Sequence, residues 1–283
     1  MKLLLDSNNF FLRHFFSKII NPNSPVPEWD LFKFITVDHI ISYIWKFKAT
    51  EVILAVDHSD SWRKLLYPNY KYSRKLNRDK SEIDWGKFFE VYHKYLIEIQ
   101  ESLPFKVLKV KGCEADDVIG ILTESPSVII SSDSDFNQLI SKSIKVFNPF
   151  TQKYVEKIDN FVNIACLQGQ KKDDIPNILT PLDWDVTSKV RRPIFGEKKA
   201  QKILVEGLES WLKENFLEKR FQIQKTLIDL GSIPKVIEKR VIDAYSIYQM
   251  PEVENIGKFF MKYNWRTYME KLSEVENKLL TLY

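Results

Sequence analysis

Cysteine is scarce in this chain: Cys113 and Cys166 are its two thiols among 283 residues. That is too few for a disulfide framework or a cysteine-based zinc cluster. Histidine is almost as rare, and His14, His39, His58 and His93 show no metal-ligand spacing. Long apolar runs are also missing. The opening MKLLLDSNN is far too short for a secretory signal, and no stretch approaches the roughly 20 apolar residues of a membrane span. Internal repeats and low-complexity tracts do not occur. These absences argue against a secreted, collagenous or membrane-embedded protein and lead to the expectation of a cytoplasmic chain without a membrane partner.

The composition is that of an ordinary globular protein, 44% hydrophobic and 28% charged, large enough to bury one core or a main domain with an appendage. A net charge of +4 says little by itself. Its distribution says more. Arg63, Lys64, Lys71, Arg74, Lys75, Arg78 and Lys80 crowd into residues 61–80 against the single acid Asp79, whereas residues 114–135 are strongly acidic.

Lys2–Leu5 and Glu51–Val56 are short apolar runs, each stopped by an aspartate, Asp6 and Asp57. Both fit buried strands. Asn21–Pro27 predicts a proline-rich loop, and Trp29–Lys48 carries apolar residues at helical spacing, so a strand-helix-strand unit and a parallel sheet are expected. Lys106–Val110, Ser127–Ser131 and Lys145–Asn148 predict further strands, and Glu114–Thr123 a helix with an acidic first turn. Beyond Asp173 helical patterns take over at Gly196–Leu204, Leu208–Asn215, Phe221–Leu227, Val236–Ile247 and Ile256–Leu279.

Ligands of a parallel sheet gather beyond the carboxyl ends of its strands, which is where Asp6, Asp57 and Asp133 fall. Asp135 shares a face with Asp133 in extended chain, and Glu114, Asp116 and Asp117 open a helix that follows another strand. Taken singly, such acids are commonly helix caps, turn formers or partners of a helix dipole, and Asp135 could cap a helix near Phe136. Four separate sites of this kind are hard to assign to capping alone. So many carboxylates in one crevice would repel one another unless cations compensated them. Oxygen-only ligation suits magnesium or manganese, and a pair of such ions supports phosphodiester hydrolysis.

The basic segment SWRKLLYPNYKYSRKLNRDKSE interleaves Trp62, Tyr67, Tyr70 and Tyr72 with its cations. Phosphates attract the cations and aromatic faces stack on unpaired bases; a solvated amphipathic helix is the alternative.

The ordered set LLLDSNN, LAVDHSDSWRK with YPNYKYSRK, GCEADDVIG, VIISSDSDFNQL and LQGQKKDDI resembles the flap endonuclease, or structure-specific 5′-nuclease, family, above all its phage ribonuclease H branch. The resemblance covers most of the chain. It implies an α/β fold with a mainly parallel central sheet flanked by helices (a PIN-like 5′-nuclease core), a helical arch at about residues 58–90, and a helical C-terminal region. The expected domains are a catalytic domain over 1–180 and a helical domain over 181–283 with a helix-three-turn-helix-like element.

By motif, Asp6, Asp57, Asp116 and Asp133 would hold a first Mg2+, with Glu114 close by or acting through water. Asp117, Asp135 and Asp173 would serve a second Mg2+, and Mn2+ could substitute. Lys71 and Arg74 match arch cations that steer the scissile phosphate and stabilise its developing charge. Arg63, Lys64, Tyr70, Lys71, Arg74, Lys75, Gly196, Lys198 and Lys199 are the expected nucleic-acid contacts. The chain departs from the family pattern at Gln170, where an aspartate is usual, and in IFGEKKAQKIL, which lacks the usual glycine pair.

The resemblance implies a 5′ to 3′ exonuclease and flap endonuclease with ribonuclease H-type activity, removing RNA primers and adjoining DNA during phage replication in the host cytoplasm. Its substrates would be DNA and RNA-DNA with 5′ ends, flaps or forks. A monomer is expected, with a phage single-stranded-DNA-binding protein and a sliding clamp as partners. Phe259 and Phe260 fit a clamp peptide or, in a helical pattern, core positions. Arg191 and Arg192 fit either a DNA contact or solvated charge. A DNA-junction-binding protein with little or no catalysis is the competing class, motivated by Gln170. A haloacid dehalogenase-type phosphatase would need an aspartate where Asn8 stands, and a topoisomerase-primase fold a glutamate ending its first strand.

Overall fold

The computed structural model describes residues 1–16, 28–184 and 193–283. The expected loop Asn21–Pro27 and the pair Arg191 and Arg192 lie outside the described residues. In chain order the helices are α1 (Ser7–His14), α2 (Trp29–Phe47), α3 (Trp62–Leu66), α4 (Tyr72–Asp79), α5 (Trp85–Ser102), α6 (Ala115–Leu122), α7 (Phe161–Gln168), α8 (Glu197–Glu206), α9 (Leu208–Glu214), α10 (Glu218–Ile228), α11 (Lys235–Ser246), α12 (Glu254–Tyr263), α13 (Arg266–Met269) and α14 (Leu272–Leu280). The strands are β1 (Lys2–Asp6), β2 (Glu51–Val56), β3 (Lys106–Lys109), β4 (Ser127–Ile130), β5 (Ile144–Asn148) and β6 (Lys153–Tyr154). None of the described helices is long and apolar enough to cross a membrane.

Spatially the chain falls into two compact units that interleave along the sequence: residues 1–59, 84–156 and 236–283 form one, and residues 60–83 with 157–235 form the other. The C-terminal stretch from 236 therefore belongs with the N-terminal sheet, because its helices bring apolar faces to that unit's core.

The first unit is built on a sheet of order β3-β2-β1-β4-β5-β6. All pairings are parallel except β5 with β6. The first two strands read KLLLD and EVILAV, buried almost throughout, as strands covered on both faces by helices must be. The chain runs outward from β1 through β2 to β3, then returns to place β4 on the other side of β1. That reversal makes the carboxyl ends of β1 and β4 a topological switch point. Phe10, Phe11, Phe32, Phe88 and Tyr95 are fully buried around this sheet, and the Tyr95 hydroxyl donates to Lys33 O at 2.7 Å.

One expected element comes out differently. The single helix expected over Ile256–Leu279 is three helices, because Asn264 takes the left-handed conformation (φ 49°) that ends α12. Phe259 and Phe260, 2% and 0% exposed, are core residues between these helices.

The second unit gathers α3, α4 and α7 to α10 around buried Tyr67, Tyr70, Cys166, Leu167, Ile175, Phe195 and Leu227. Burial pushes the Cys166 thiol up to about 12, so it stays a neutral core group.

Candidate active site

The local sequence explains why the strand-end acids sit where they do. Asp6 ends β1 and is also the N-cap of α1, its Oδ1 accepting from Asn9 N–H at 3.0 Å. In register Asp6 lies level with Ala55 of β2, and Leu5 with Ile130 of β4. Asp57 and Asp133 thus leave the neighbouring strands just beyond Asp6, on three adjacent strands spaced about 4.8 Å apart.

Cross-strand hydrogen bonds hold these ends together. His58 N–H donates to Cys113 O at 3.0 Å, and Asp57 Oδ1 accepts from Ala115 N–H at 2.8 Å, so the first turn of α6 docks against the end of β2. Ser131 Oγ donates to Asp6 Oδ2 at 3.4 Å and accepts from Asp133 N–H at 3.0 Å. Asp133 Oδ1 accepts from Asp135 N–H at 2.9 Å and caps the 3-10 turn Ser134–Leu139. The capping expected of Asp135 is therefore performed by Asp133, two residues earlier, where the chain is still extended. At α6 the Asp117 carboxylate accepts from Glu114 N–H at 2.9 Å in a capping box.

Glu114, Asp117 and Asp135 are buried, and Asp57, Asp116 and Asp133 half-buried. Seven of the eight acids named from sequence thus belong to the sheet unit. Several spend a carboxylate oxygen on a peptide N–H, and among the described residues no three His, Cys, Asp or Glu side chains close into a metal cage. The donor set itself, all carboxylate oxygen beyond the strand ends of a switch point, has the chemistry of a hard divalent cation site.

Residues that sequence reasoning missed complete the frame. Asn8 Oδ1 accepts from Tyr92 OH at 2.7 Å and from Asp57 N–H at 3.4 Å, while Asn9 Oδ1 accepts from Ser132 Oγ at 2.9 Å. The Tyr92 phenol is pushed well above its ordinary value, first by burial and then by the negative charges of Asp57 and Asp6, so it remains a neutral donor beside the acids. Asn8 and Asn9 were visible in LLLDSNN, but nothing in the sequence pairs Tyr92 with them across 84 positions.

Asp173 belongs to the second unit, with Lys71 and Arg74. Arg74 Nη2 meets Asp173 Oδ1 at 2.6 Å and Lys71 Nζ approaches it at 3.9 Å. Asp174 clasps the same segment, its Oδ2 accepting from Ser73 N–H at 2.7 Å and its carbonyl from the Tyr67 hydroxyl at 2.9 Å. Gln170 pairs its backbone with Ile175 in an antiparallel bridge.

The expected nucleic-acid contacts divide. Lys64, Arg74 and Lys75 are exposed, as are Gly196, Lys198 and Lys199 at the start of α8, while Lys71 is largely covered. Arg63 and Tyr70 are corrected by burial. Arg63 is 2% exposed, donates Nε–H to Leu227 O at 2.8 Å and stacks its guanidinium 4.5 Å from the Trp62 ring. Tyr70, 4% exposed, packs in the unit's core with Tyr67. Of the four interleaved aromatics only Tyr72 is exposed, because an amphipathic segment that folds onto a core turns its rings inward.

Fold and site together define an α/β nuclease with an acidic crevice at the ends of its parallel strands. The chain belongs to the 5′-3′ exonuclease family: the model of its N-terminal resolvase-like domain matches residues 1–165, and that of the T4 RNase H C-terminal region matches residues 155–275. Ribonuclease H of Enterobacteria phage T4 is 29% identical over 238 residues, covering 75% of each chain. A DNA polymerase I of Caldicellulosiruptor bescii is 29% identical over 217 residues, 73% of this chain but 24% of that one. Among solved structures, a bacteriophage T5 flap endonuclease with DNA and metal ions matches with a TM-score of 0.62 at 19% identity, covering 87% of this chain and 98% of that one. The protein is a phosphodiester hydrolase with the fold of that neighbour.

Proposed function

We propose that this nuclease is a magnesium-dependent 5′ to 3′ exonuclease and flap endonuclease with ribonuclease H-type activity. Its role would be to remove RNA primers and adjoining DNA from lagging-strand fragments during phage replication. The observation that carries this reading is the arrival of Asp6, Asp57 and Asp133 at the ends of three adjacent parallel strands. Asp6, Asp57, Asp116 and Asp133 would hold a first Mg2+, with Glu114 nearby, and Asp117, Asp135 and Asp173 a second. Magnesium bound there supplies charge neutralisation and activation of water for phosphodiester hydrolysis.

The chain's own residues orient the site. Asn9 and Ser131 fix the Asp6 carboxylate, Ala115 N–H fixes Asp57, and the Tyr92 hydroxyl donates to Asn8 beside Asp57. Lys71 and Arg74 would stabilise charge on the scissile phosphate, exchanging Asp173 for a phosphate oxygen. Lys64, Lys75, Lys198 and Lys199 would contact the nucleic-acid backbone. A single-stranded-DNA-binding protein and a sliding clamp remain proposed partners of a monomer, on the family resemblance.

A 5′-labelled flap should be cut in magnesium and spared in EDTA. Asp133→Asn should lower cleavage by at least about 100-fold while flap binding persists. Inactivity of the wild-type protein on flap, nicked and RNA-DNA substrates alike would refute the proposal.

A further inference from the structure

Asn8 and Asn9 stand in the first turn of α1, directly after the strand that ends at Asp6. Each amide is pinned at its oxygen end. Asn8 Oδ1 accepts from Tyr92 OH at 2.7 Å and Asp57 N–H at 3.4 Å, and Asn9 Oδ1 from Ser132 Oγ at 2.9 Å and Ser132 N–H at 3.4 Å. A peptide N–H can only donate, so these contacts decide which end of each amide is oxygen. The NH2 ends therefore face away from the anchors. Both asparagines are half-buried, and among the described residues neither NH2 group is a buried, unsatisfied one or is spent on a protein acceptor.

A phosphodiester entering a crevice of carboxylates meets repulsion, and a lysine placed there would pair with the acids instead of the substrate. Neutral N–H donors avoid both problems: they bind phosphate oxygen without neutralising the carboxylates. We propose that Asn8 and Asn9 donate to non-bridging oxygens of the nucleic-acid phosphate held at the crevice, with Tyr92 as the positioning residue that aims the Asn8 amide. This rests on the nuclease reading above and adds two substrate contacts to it.

The test measures binding of a fluorescent 5′-flap DNA in calcium, with a neutral methylphosphonate placed at one linkage at a time. Asn8→Ala and Asn9→Ala should each weaken binding of the all-phosphate flap about tenfold, as loss of a hydrogen bond to a charged group does. At one linkage near the cut, the methylphosphonate should abolish that difference between variant and wild type. Tyr92→Phe should cost about threefold with Asn8 present and nothing in the Asn8→Ala background, the non-additivity expected of a residue acting through another. Variants that bind as wild type, or penalties unchanged by methylphosphonate at every linkage, would overturn the inference. Where an alanine variant fails to fold, the side-chain NH2 resonances of the wild-type protein decide: they should shift with phosphate DNA and not with the methylphosphonate flap, and immobility with both overturns it. Wild-type protein that binds no flap DNA would instead strike at the nuclease reading itself.

Discussion

Asp6, Asp57 and Asp133 each perform a structural task at one carboxylate oxygen, receiving a peptide N–H at 3.0, 2.8 and 2.9 Å. Capping and site-building are therefore not rival explanations of a strand-end aspartate. The N–H fixes the rotamer that a ligand site needs fixed. The same scale separates two cations that look alike in sequence. Arg63 and Lys64 are neighbours in one basic run, yet the first is buried against Trp62 and Leu227 and the second is exposed. Arg63→Ala should remove that buried hydrogen bond and packing at a cost of about 3 kcal/mol, read as a shift in denaturation midpoint. Lys64→Ala should leave stability within about 0.5 kcal/mol and lower the salt dependence of flap binding by about one counterion. An Arg63→Ala variant as stable as wild type would show the buried placement to be wrong.

Strands were the most legible elements, because a run such as EVILAV admits few other structures once a polar stop follows it. Helix ends were less so: the break at Asn264 turns on one left-handed residue, and the two-residue β6 carries too little pattern to notice. The loop after α7 shows what one residue can decide at this scale. Gly169 has φ 72°, and a Cβ there would lie 2.4 Å from Ile175 O and 2.5 Å from Pro176 C, backbone that cannot yield. Gly169→Ala should thus destabilise by at least about 2 kcal/mol and disturb the turn that presents Asp173 to Arg74. Unchanged chemical denaturation in that variant would contradict the geometry.

At the amino ends of the strands Glu51 joins β2 to β3 and α11 through Lys106 Nζ at 2.5 Å and the Tyr245 hydroxyl at 2.6 Å. Burial alone would raise its carboxyl, but those hydrogen bonds and the charges of Lys106 and Lys2 outweigh it and hold the group below the usual range. A depressed folded-state value means stability that is present above the unfolded pKa of about 4.3 and lost as pH falls through the folded one. Glu51→Gln should flatten the acid limb of a stability-pH curve, and an unaltered limb would remove Glu51 from its causes.

The interleaving of the two units was not legible at all, since no local pattern reports that residues 60–83 leave the sheet unit while residues 236–283 return to it. The acidic crevice, by contrast, follows from the order of the strands, and its concentration of negative charge has a consequence for the whole protein. Carboxylates gathered at one switch point repel in the absence of a counter-ion, so on the proposed metal-binding reading a bound cation would relieve that repulsion in the folded state. A ligand that binds only the folded protein at about 100 times its Kd adds about 2.7 kcal/mol, a rise of roughly 4–5 °C in Tm for a chain of this size. Magnesium should raise Tm by that order in a calorimetric scan. Asp133→Asn keeps the cap on residues 134–139, because asparagine caps as well as aspartate, while removing one charge. It should therefore melt above the wild type in EDTA and lose most of the magnesium increment. A variant that melted lower in EDTA, or kept the full increment, would mean that Asp133 contributes neither to the repulsion nor to the ion.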